Sequence, residues 1–331
     1  MDRLPILEFE SLLKTTVWGG RRLGELLGKP LPGEEPVGES WEVADLPDDQ
    51  SVVGGGPFDG VSLSALREQR REELLGDAPL PGGRFPLLIK FIDAQRTLSV
   101  QVHPDEAACA RIGQGARPKT EAWYVIDRDP GAALYVGLRS GVDREAFARA
   151  IREGEVASLL HRMPVDPGDF AFLPAGTVHA IGEGIVLAEV QQASDTTYRV
   201  FDWNRVGLDG KPRQLHVEHA LEATNYDPVG PPEPRKPASG RAGIACPFFE
   251  MELVRDRADA CLAGSGPAIL LGVKGGGARS VRADGDEAEI VMGRTLLVPA
   301  ERAAVVELGG SGDLEVLAVR IPDLASQPAS G

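Results

Sequence analysis

The clearest alternation of apolar and polar side chains lies in residues 98–103, directly before Pro104. A period of two predicts a half-buried β-strand. Side chains two residues apart on a strand point the same way, so Ser99, Gln101 and His103 share its polar face. The strand is expected to end at the proline, which has no N–H to donate. The pattern therefore places an imidazole beside an amide.

A second strand, predicted over residues 119–126, carries Glu121. A short helix over residues 105–112 separates it from the first strand. If the two strands belong to one sheet, the carboxylate can join the imidazole. The fold is therefore expected to be organised around residues 90–121.

Short strands separated by Gly- and Pro-containing turns fill most of the remaining chain. Many short strands with turns this close together predict a mainly β protein, an antiparallel sandwich or barrel of the jelly-roll kind. Helical periodicity interrupts this pattern at about residues 60–76, where Ser62 or Ser64 can cap the helix, and at residues 143–160. We therefore expect β-barrels with helical insertions.

The length of the chain, 331 residues, exceeds what one hydrophobic core usually supports, so two domains are expected. A Pro-rich stretch within residues 228–244 is typical of a linker. It would separate a first domain at residues 1–227, which carries all the candidate site residues, from a second β domain at residues 245–331.

A near-repeat relates the two predicted domains. Residues 293–300, GRTLLVPA, align with residues 168–175, GDFAFLPA, and the same alignment sets Ala304 opposite His179. The second barrel is therefore expected to be a degenerate, structural relative of the first, without a metal-binding imidazole. Chance similarity of two Gly-to-Pro strands is the alternative.

Composition narrows the function classes. Apolar residues make up 42% of the chain and charged residues 26%, which is ordinary for a soluble globular protein and indicates no membrane segment. The formal net charge of -15 argues against general nucleic-acid binding, because phosphate backbones need a basic face. Three cysteines without a paired motif, and an N-terminus without a basic-then-apolar signal, lead us to expect a cytoplasmic protein.

His179 is a second histidine in a position suited to a metal site. It follows a Pro-Ala-Gly turn inside a β pattern and can face the same interior as His103. With Glu121 and the amide of Gln101, the two imidazoles would form a four-ligand site that fits catalytic Zn²⁺, although Fe²⁺, Mn²⁺ or Co²⁺ could occupy it. The alternative is that both are hydrogen-bonded core histidines. The other histidines, assigned to helix-terminal or solvated positions, are His161, His216 and His219.

Positive charge is concentrated around these residues. Lysine occurs at only seven positions, and two of them, Lys90 and Lys119, lie within residues 90–121. Arg199 comes late in a predicted strand after His179. An acidic protein with cations around a potential metal cavity is expected to bind an anionic substrate there. Ordinary solvated strand ends are the alternative.

Three separated blocks, residues 90–106, 119–124 and 168–203, resemble the motif blocks of type I phosphomannose isomerases in the same order. These are zinc-dependent cupin enzymes that interconvert mannose 6-phosphate and fructose 6-phosphate. The length, the helical insertion and the degenerate second barrel resemble the short bacterial form. The implied partner is a phosphorylated hexose, and we expect a monomer or a weak homodimer.

The resemblance implies roles for individual residues. The zinc ligands, for one ion per chain, would be Gln101, His103, Glu121 and His179. Substrate would be bound by Lys90, Ser99, Lys119 and Arg199. The catalytic positions would be Arg199, Glu189, Asp195 and Lys119. We place both Glu189 and Asp195 on the strands after His179, and favour Glu189 as the base because its apolar neighbours would bury it.

The implied reaction moves a proton between C2 and C1 of the open-chain sugar through an enediol. Some relatives carry an aromatic hydroxyl two residues after the last histidine ligand, where this chain has Ile181. Two other classes stay open: a cupin of different chemistry, such as an iron dioxygenase or another sugar isomerase, and a catalytically silent sugar-binding or regulatory cupin.

Overall fold

The structure, a computed structural model, describes residues 3–227, 232–236, 242–255, 260–264, 266–310 and 312–322. The strands of the described chain are β1 (Leu7–Glu8), β2 (Leu12–Gly20), β3 (Val37–Val43), β4 (Leu87–Ala94), β5 (Val100–Val102), β6 (Glu121–Arg128), β7 (Ala133–Leu138), β8 (Leu160–Pro164), β9 (Phe170–Leu173), β10 (His179–Ile181), β11 (Ile185–Gln192), β12 (Tyr198–Phe201), β13 (Ala242–Ala245), β14 (Glu250–Val254), β15 (Ala260–Ala263), β16 (Ala268–Lys274), β17 (Ala278–Ala283), β18 (Asp286–Val291), β19 (Thr295–Val298), β20 (Val305–Gly309) and β21 (Glu315–Arg320). Its α-helices are α1 (Arg22–Leu27), α2 (Leu63–Gln69), α3 (Arg71–Leu75), α4 (Glu106–Ile112), α5 (Arg144–Glu153) and α6 (Val217–Ala223).

Two antiparallel sheets form the first unit. One sheet has the strand order β2-β3-β4-β11-β6-β9, and the other has the order β12-β5-β10-β7-β8. Apolar side chains from both sheets, among them Ile92, Trp123, Val136 and Ile181, pack into one core cluster. The sheets therefore face each other, as expected for a jelly roll.

The second unit repeats this arrangement with its own two sheets. Their strand orders are β1-β19-β16-β21-β14-β13 and β15-β20-β17-β18. The prediction of a mainly β fold with two jelly-roll units is confirmed. The near-repeat is also visible, because β9 and β19 each begin two residues after the aligned glycine, Gly168 or Gly293.

The start of the chain joins the second unit, since Leu7 pairs with Leu297 across β1 and β19. Of the predicted linker, residues 228–231 and 237–241 lie outside the described residues. The proposed domain limits stay a prediction.

The central strands of the first unit are buried on both faces. Every residue of β4 and β11 is buried. On their outer face, Ile89 and Val190 join a core cluster that also contains Met251 and Ile269 of the second unit. The second unit therefore covers this sheet, and the opposite face of β4 and β11 is free to line the interior of the first unit.

The helical insertions are confirmed with shorter limits. The first comprises α2 and α3, and Ser62 is the N-cap, because its Oγ accepts a hydrogen bond from the Ala65 N–H at 3.2 Å. The second helix, α5, ends at Glu153, and β8 begins at Leu160. The placement of His161 at a helix end is therefore wrong, since it lies on β8. None of the helices in the described part of the chain has the length and apolar composition needed to cross a bilayer.

Asp143→Ala is expected to lower the free energy of unfolding by about 1 kcal/mol, because it removes the N-cap of α5. Asp143 Oδ1 accepts a hydrogen bond from the Ala146 N–H at 2.8 Å. Asp143→Asn keeps this acceptor and is the matched control. Urea unfolding of the three proteins measures the difference, and equal midpoints for Asp143→Ala and the parent would contradict the assigned cap.

Candidate metal centre

In the sheet β12-β5-β10-β7-β8, one row of directly opposite residues on neighbouring strands holds three of the predicted site residues. Gln101 on β5 lies directly opposite Arg199 on β12 and opposite His179 on β10. Neighbouring side chains in such a row lie within reach of one another. The register therefore sets a guanidinium, an amide and an imidazole side by side.

A second row of directly opposite residues crosses the facing sheet, β2-β3-β4-β11-β6-β9. Trp41, Lys90, Glu189 and Trp123 are direct cross-strand partners on β3, β4, β11 and β6. Glu121 lies in a neighbouring row, on the same face of β6 as Trp123, because the two are two residues apart. The strands β5 and β6 thus belong to different sheets, and their polar residues meet across the interior rather than within one sheet.

His103, Glu121 and His179 form a buried cluster whose ligand atoms all lie within 4.8 Å of one another. His103 Nε2 lies 3.3 Å from Glu121 Oε2, and His179 Nε2 lies 3.1 Å from Glu121 Oε1. Gln101 Nε2 lies 3.3 Å from His179 Nε2. The four predicted ligand side chains are therefore brought together.

The outer nitrogen of each imidazole faces a backbone carbonyl. His103 Nδ1 lies 2.9 Å from the Thr196 oxygen, and His179 Nδ1 lies 2.8 Å from the Thr177 oxygen. A carbonyl oxygen can only accept, so each Nδ1 must carry the proton. In the neutral ring this leaves the Nε2 lone pair directed at Glu121, the arrangement that metal-ligating histidines use.

The electrostatics favour neutral imidazole and ionised carboxylate. Burial, together with the Lys119 ammonium, lowers the pKa of His103 to about 3. Burial alone would raise the pKa of Glu121, but the Lys119 ammonium, 2.9 Å away, holds it well below its ordinary value. Both groups are thus in the protonation state that a metal ion requires.

The residues present fit a divalent cation. Within the part of the chain that the structure describes, Oε1 of buried Glu121 has no hydrogen-bond partner, and Oε2 has only the ion pair with the Lys119 ammonium at 2.9 Å. Three carboxylates, Glu39, Glu121 and Glu189, face the ammonium groups of only two lysines. A divalent ion would supply the missing positive charge and a partner for Oε1.

Lys90 links two carboxylates beside this cluster. Its Nζ lies 3.1 Å from Glu189 Oε1 and 3.4 Å from Glu39 Oε2. Burial opposes the ammonium charge, but Glu189 and Glu39 raise the pKa of Lys90 well above its ordinary value. Lys90 is therefore permanently charged, and its ammonium is paired with Glu189 and Glu39 rather than free in the interior.

Arg199 lies at the edge of the same interior. Its Nε donates to Ser99 Oγ at 3.3 Å, and its Nη1 donates to the Gln214 carbonyl at 3.0 Å. Burial and the nearby Arg213 lower the pKa of Arg199 from its ordinary value. Among the described residues no carboxylate forms an ion pair with Arg199. Its positive charge is thus available to an anion.

Asp195 is not brought into this group. The predicted strand over residues 194–203 begins only at Tyr198, so Asp195 lies in the loop after β11, where it is exposed. The same loop supports the site differently, through the Thr196 carbonyl that binds His103. Ile181, in contrast, is buried in the apolar core of the first unit.

Sequence reasoning missed three contributors to the site. Trp123 donates a hydrogen bond to Glu189 Oε2 at 2.8 Å, and Thr177 and Thr196 contribute only their backbone carbonyls. Trp123 could have been found, because it follows Glu121 by two residues and shares its face. The two carbonyls left no signal, since any residue type can offer one.

Comparisons with known proteins place the whole chain among proteins of one family. Residues 6–127 match the family model of the type I phosphomannose isomerase catalytic domain. The chain is 35% identical over 319 residues to the mannose-6-phosphate isomerase of Streptococcus mutans, covering 94% of this chain and 97% of that protein. It is 43% identical over 216 residues to the Bacillus subtilis mannose-6-phosphate isomerase ManA, covering 65% and 67% of the two chains. A crystal structure of the mannose 6-phosphate isomerase from Bacillus subtilis superposes with a TM-score of 0.82 at 27% identity, covering 96% of this chain and 100% of that one.

Proposed function

We propose a zinc-dependent reaction for this chain, which belongs to the type I phosphomannose isomerase family. The reaction is the interconversion of mannose 6-phosphate and fructose 6-phosphate through an enediol. One observation carries the proposal: two Nε2 lone pairs converge on the Glu121 carboxylate, beside the Glu189 carboxylate held by Trp123 and the Arg199 guanidinium, which has no carboxylate partner among the described residues.

The proposed ligands are His103, Glu121, His179 and the amide oxygen of Gln101. The Gln101 amide already lies beside His179 Nε2. The two ends of an amide have nearly the same shape, so rotation of the group would direct Oε1 rather than Nε2 at the ion. A set of nitrogen and oxygen ligands without thiolate is typical of catalytic zinc.

Zinc bound there would polarise the sugar oxygens at C1 and C2 and stabilise the negative charge that develops on them. Lys119 Nζ lies 3.1 Å from His103 Nε2 and 2.9 Å from Glu121 Oε2, so its ammonium competes with a cation for these atoms. Once displaced from them, the ammonium can donate to a substrate oxygen. This assigns Lys119 a role in substrate binding.

Glu189 is the proposed base. It is 3% exposed, and its Oε1 lies 3.1 Å from the Lys90 ammonium. A carboxylate at this position can take a proton from one sugar carbon and return it to the other. The contact from Lys90 leaves lone pairs free on both oxygens, because each carboxylate oxygen has two. Because Glu189 is buried, its charge interacts with the substrate in a low-dielectric interior, where electrostatic interactions are stronger than in water.

Arg199 and Ser99 are the proposed phosphate anchor. The phosphate does not react, so its binding energy serves to position C1 and C2 at the base. A planar guanidinium suits phosphate oxygens, and Ser99 Oγ beside it can add a hydrogen bond. The cytoplasmic location and the monomeric or weakly dimeric state stay predictions.

Chelation is expected to abolish turnover of mannose 6-phosphate, and added zinc is expected to restore it. The measurement is a coupled assay of fructose 6-phosphate on purified protein before and after EDTA, with zinc, iron, manganese and cobalt added back separately. Restoration by iron with consumption of oxygen would favour a dioxygenase. Sugar phosphate binding without turnover would favour a silent binding protein, and full activity after complete metal removal would overturn the zinc proposal.

A further inference from the structure

We propose that Trp123 is a positioning residue that fixes the Glu189 carboxylate for proton transfer. Because its ring also packs against His179, it sets the distance between the carboxylate and that imidazole. This inference rests on the proposed function. Trp123 is fully buried on β6, and its indole Nε1 donates to Glu189 Oε2 at 2.8 Å. Its ring meets the His179 imidazole edge-on, with centroids 5.4 Å apart and planes at 79°. One rigid side chain thus contacts both the proposed base and a proposed metal ligand.

Lys90 cannot fix Glu189 alone. Its ammonium is shared between Glu189 Oε1 and Glu39 Oε2, at 3.1 and 3.4 Å, and it is carried on a flexible four-carbon chain. The indole has only two side-chain torsions and donates from a fixed point of a planar ring. With one oxygen held by the ammonium and the other by the indole, the plane of the carboxylate is determined.

The neighbouring glutamate is held by the same two kinds of donor, although there both contact one oxygen. Trp41 Nε1 donates to Glu39 Oε2 at 2.7 Å, and the Lys90 ammonium lies 3.4 Å from the same atom. Among the described residues, both carboxylates that pair with Lys90 therefore also accept from a tryptophan. The Lys90 ammonium additionally lies 5.0 Å from the centroid of the Trp41 ring. The ammonium is thus attracted by Trp41 and Glu39 as well as by Glu189. This strengthens the need for a second, rigid contact on Glu189.

A buried tryptophan also contributes to stability, so the test must separate the two roles. Trp123→Phe keeps an aromatic ring beside His179 and removes the N–H. Tyr124→Phe is the matched control, because Tyr124 is the next residue on β6 and is buried, and the variant loses only a hydroxyl on the opposite face, which interacts with Glu315 Oε2 at 3.3 Å and with Arg255. Both variants are expected to lose thermal stability.

The expected result is that Trp123→Phe lowers kcat for mannose 6-phosphate at least 10-fold, with KM within about twofold and zinc content unchanged. Tyr124→Phe keeps the parent kcat. Trp123→His, which retains a ring N–H, should recover part of kcat and serves as the second variant if Trp123→Phe folds poorly. The primary deuterium isotope effect with C2-deuterated substrate should rise in Trp123→Phe, which a loss of stability alone would not cause.

A double-mutant cycle with Glu189→Gln completes the test. If Trp123 acts through Glu189, Trp123→Phe should cause little further loss of kcat in the Glu189→Gln protein. Additive losses, a parent kcat in Trp123→Phe, or equal kcat for the Phe and His variants would overturn the inference. These outcomes differ from failure of the proposed function, in which the parent protein itself would not turn over mannose 6-phosphate, and from failure of the base assignment, in which Glu189→Gln alone would stay active.

Discussion

Glu189→Gln is expected to lower kcat for mannose 6-phosphate by about 10²- to 10⁴-fold, the usual contribution of a positioned general base. The amide has nearly the shape of the carboxylate but cannot accept a proton at working pH. Exchange of the C2 proton with solvent, followed by NMR in deuterium oxide, should cease. Zinc content and the affinity for inorganic phosphate should persist, because the variant leaves the proposed ligands and Arg199 in place.

Asp195→Asn is the informative comparison for this prediction. The resemblance implies a catalytic role for both carboxylates, but only Glu189 is buried and held by neighbouring side chains, whereas Asp195 is exposed in a loop. We therefore expect Asp195→Asn to keep kcat within a few-fold of the parent. If Glu189→Gln remained fully active, the assignment of the base would be wrong, and Asp195 would be the next residue to test.

The local geometry of the site could be predicted from the sequence because a strand has a fixed period. Ser99, Gln101 and His103 are two residues apart, so they project to one side of an extended chain, although β5 itself comprises only Val100–Val102 and ends before Pro104. The turn before His179 was likewise readable from residue types. The candidate metal-binding cluster of His103, Glu121 and His179 follows once these local segments are packed together.

Which strands are neighbours could not be predicted, because pairing depends on the whole fold. The strands that carry His103 and Glu121 lie in facing sheets rather than in one sheet. The contact of Lys90 with Glu189 depends on the register of β4 against β11, between residues far apart in the sequence. The positions of the lysines in the sequence indicated cations near the site, but not that Lys90 would be held by two carboxylates.

The burial of β11 on both faces also has a tertiary cause. Its apolar side chains alternate between the interior of the first unit and the face covered by the second unit, so Leu187 and Val190 belong to different core clusters. Without the second unit, the outer face of this sheet would be exposed to water. The second unit therefore supports the site by fixing the strand that carries Glu189.

Arg199→Ala is expected to lower kcat/KM for mannose 6-phosphate by about 30- to 700-fold, which corresponds to about 2 to 4 kcal/mol for lost charge-assisted hydrogen bonds. Arginine stays protonated at any working pH, so it is a poor base but a suitable partner for phosphate. Inorganic phosphate should inhibit the variant much more weakly than the parent. Arg199→Lys is the matched control, because it keeps the charge and loses the planar fork, and it should recover only part of the loss.

Metal content decides between this role and a structural one. Arg199 is the direct cross-strand neighbour of Gln101, so its removal could instead disturb a proposed zinc ligand. The guanidinium contacts Ser99 and the Gln214 carbonyl rather than the Gln101 amide, and we therefore expect zinc content to stay at the parent level. If Arg199→Ala loses its zinc, or turns over mannose 6-phosphate at the parent rate, Arg199 is not the phosphate anchor.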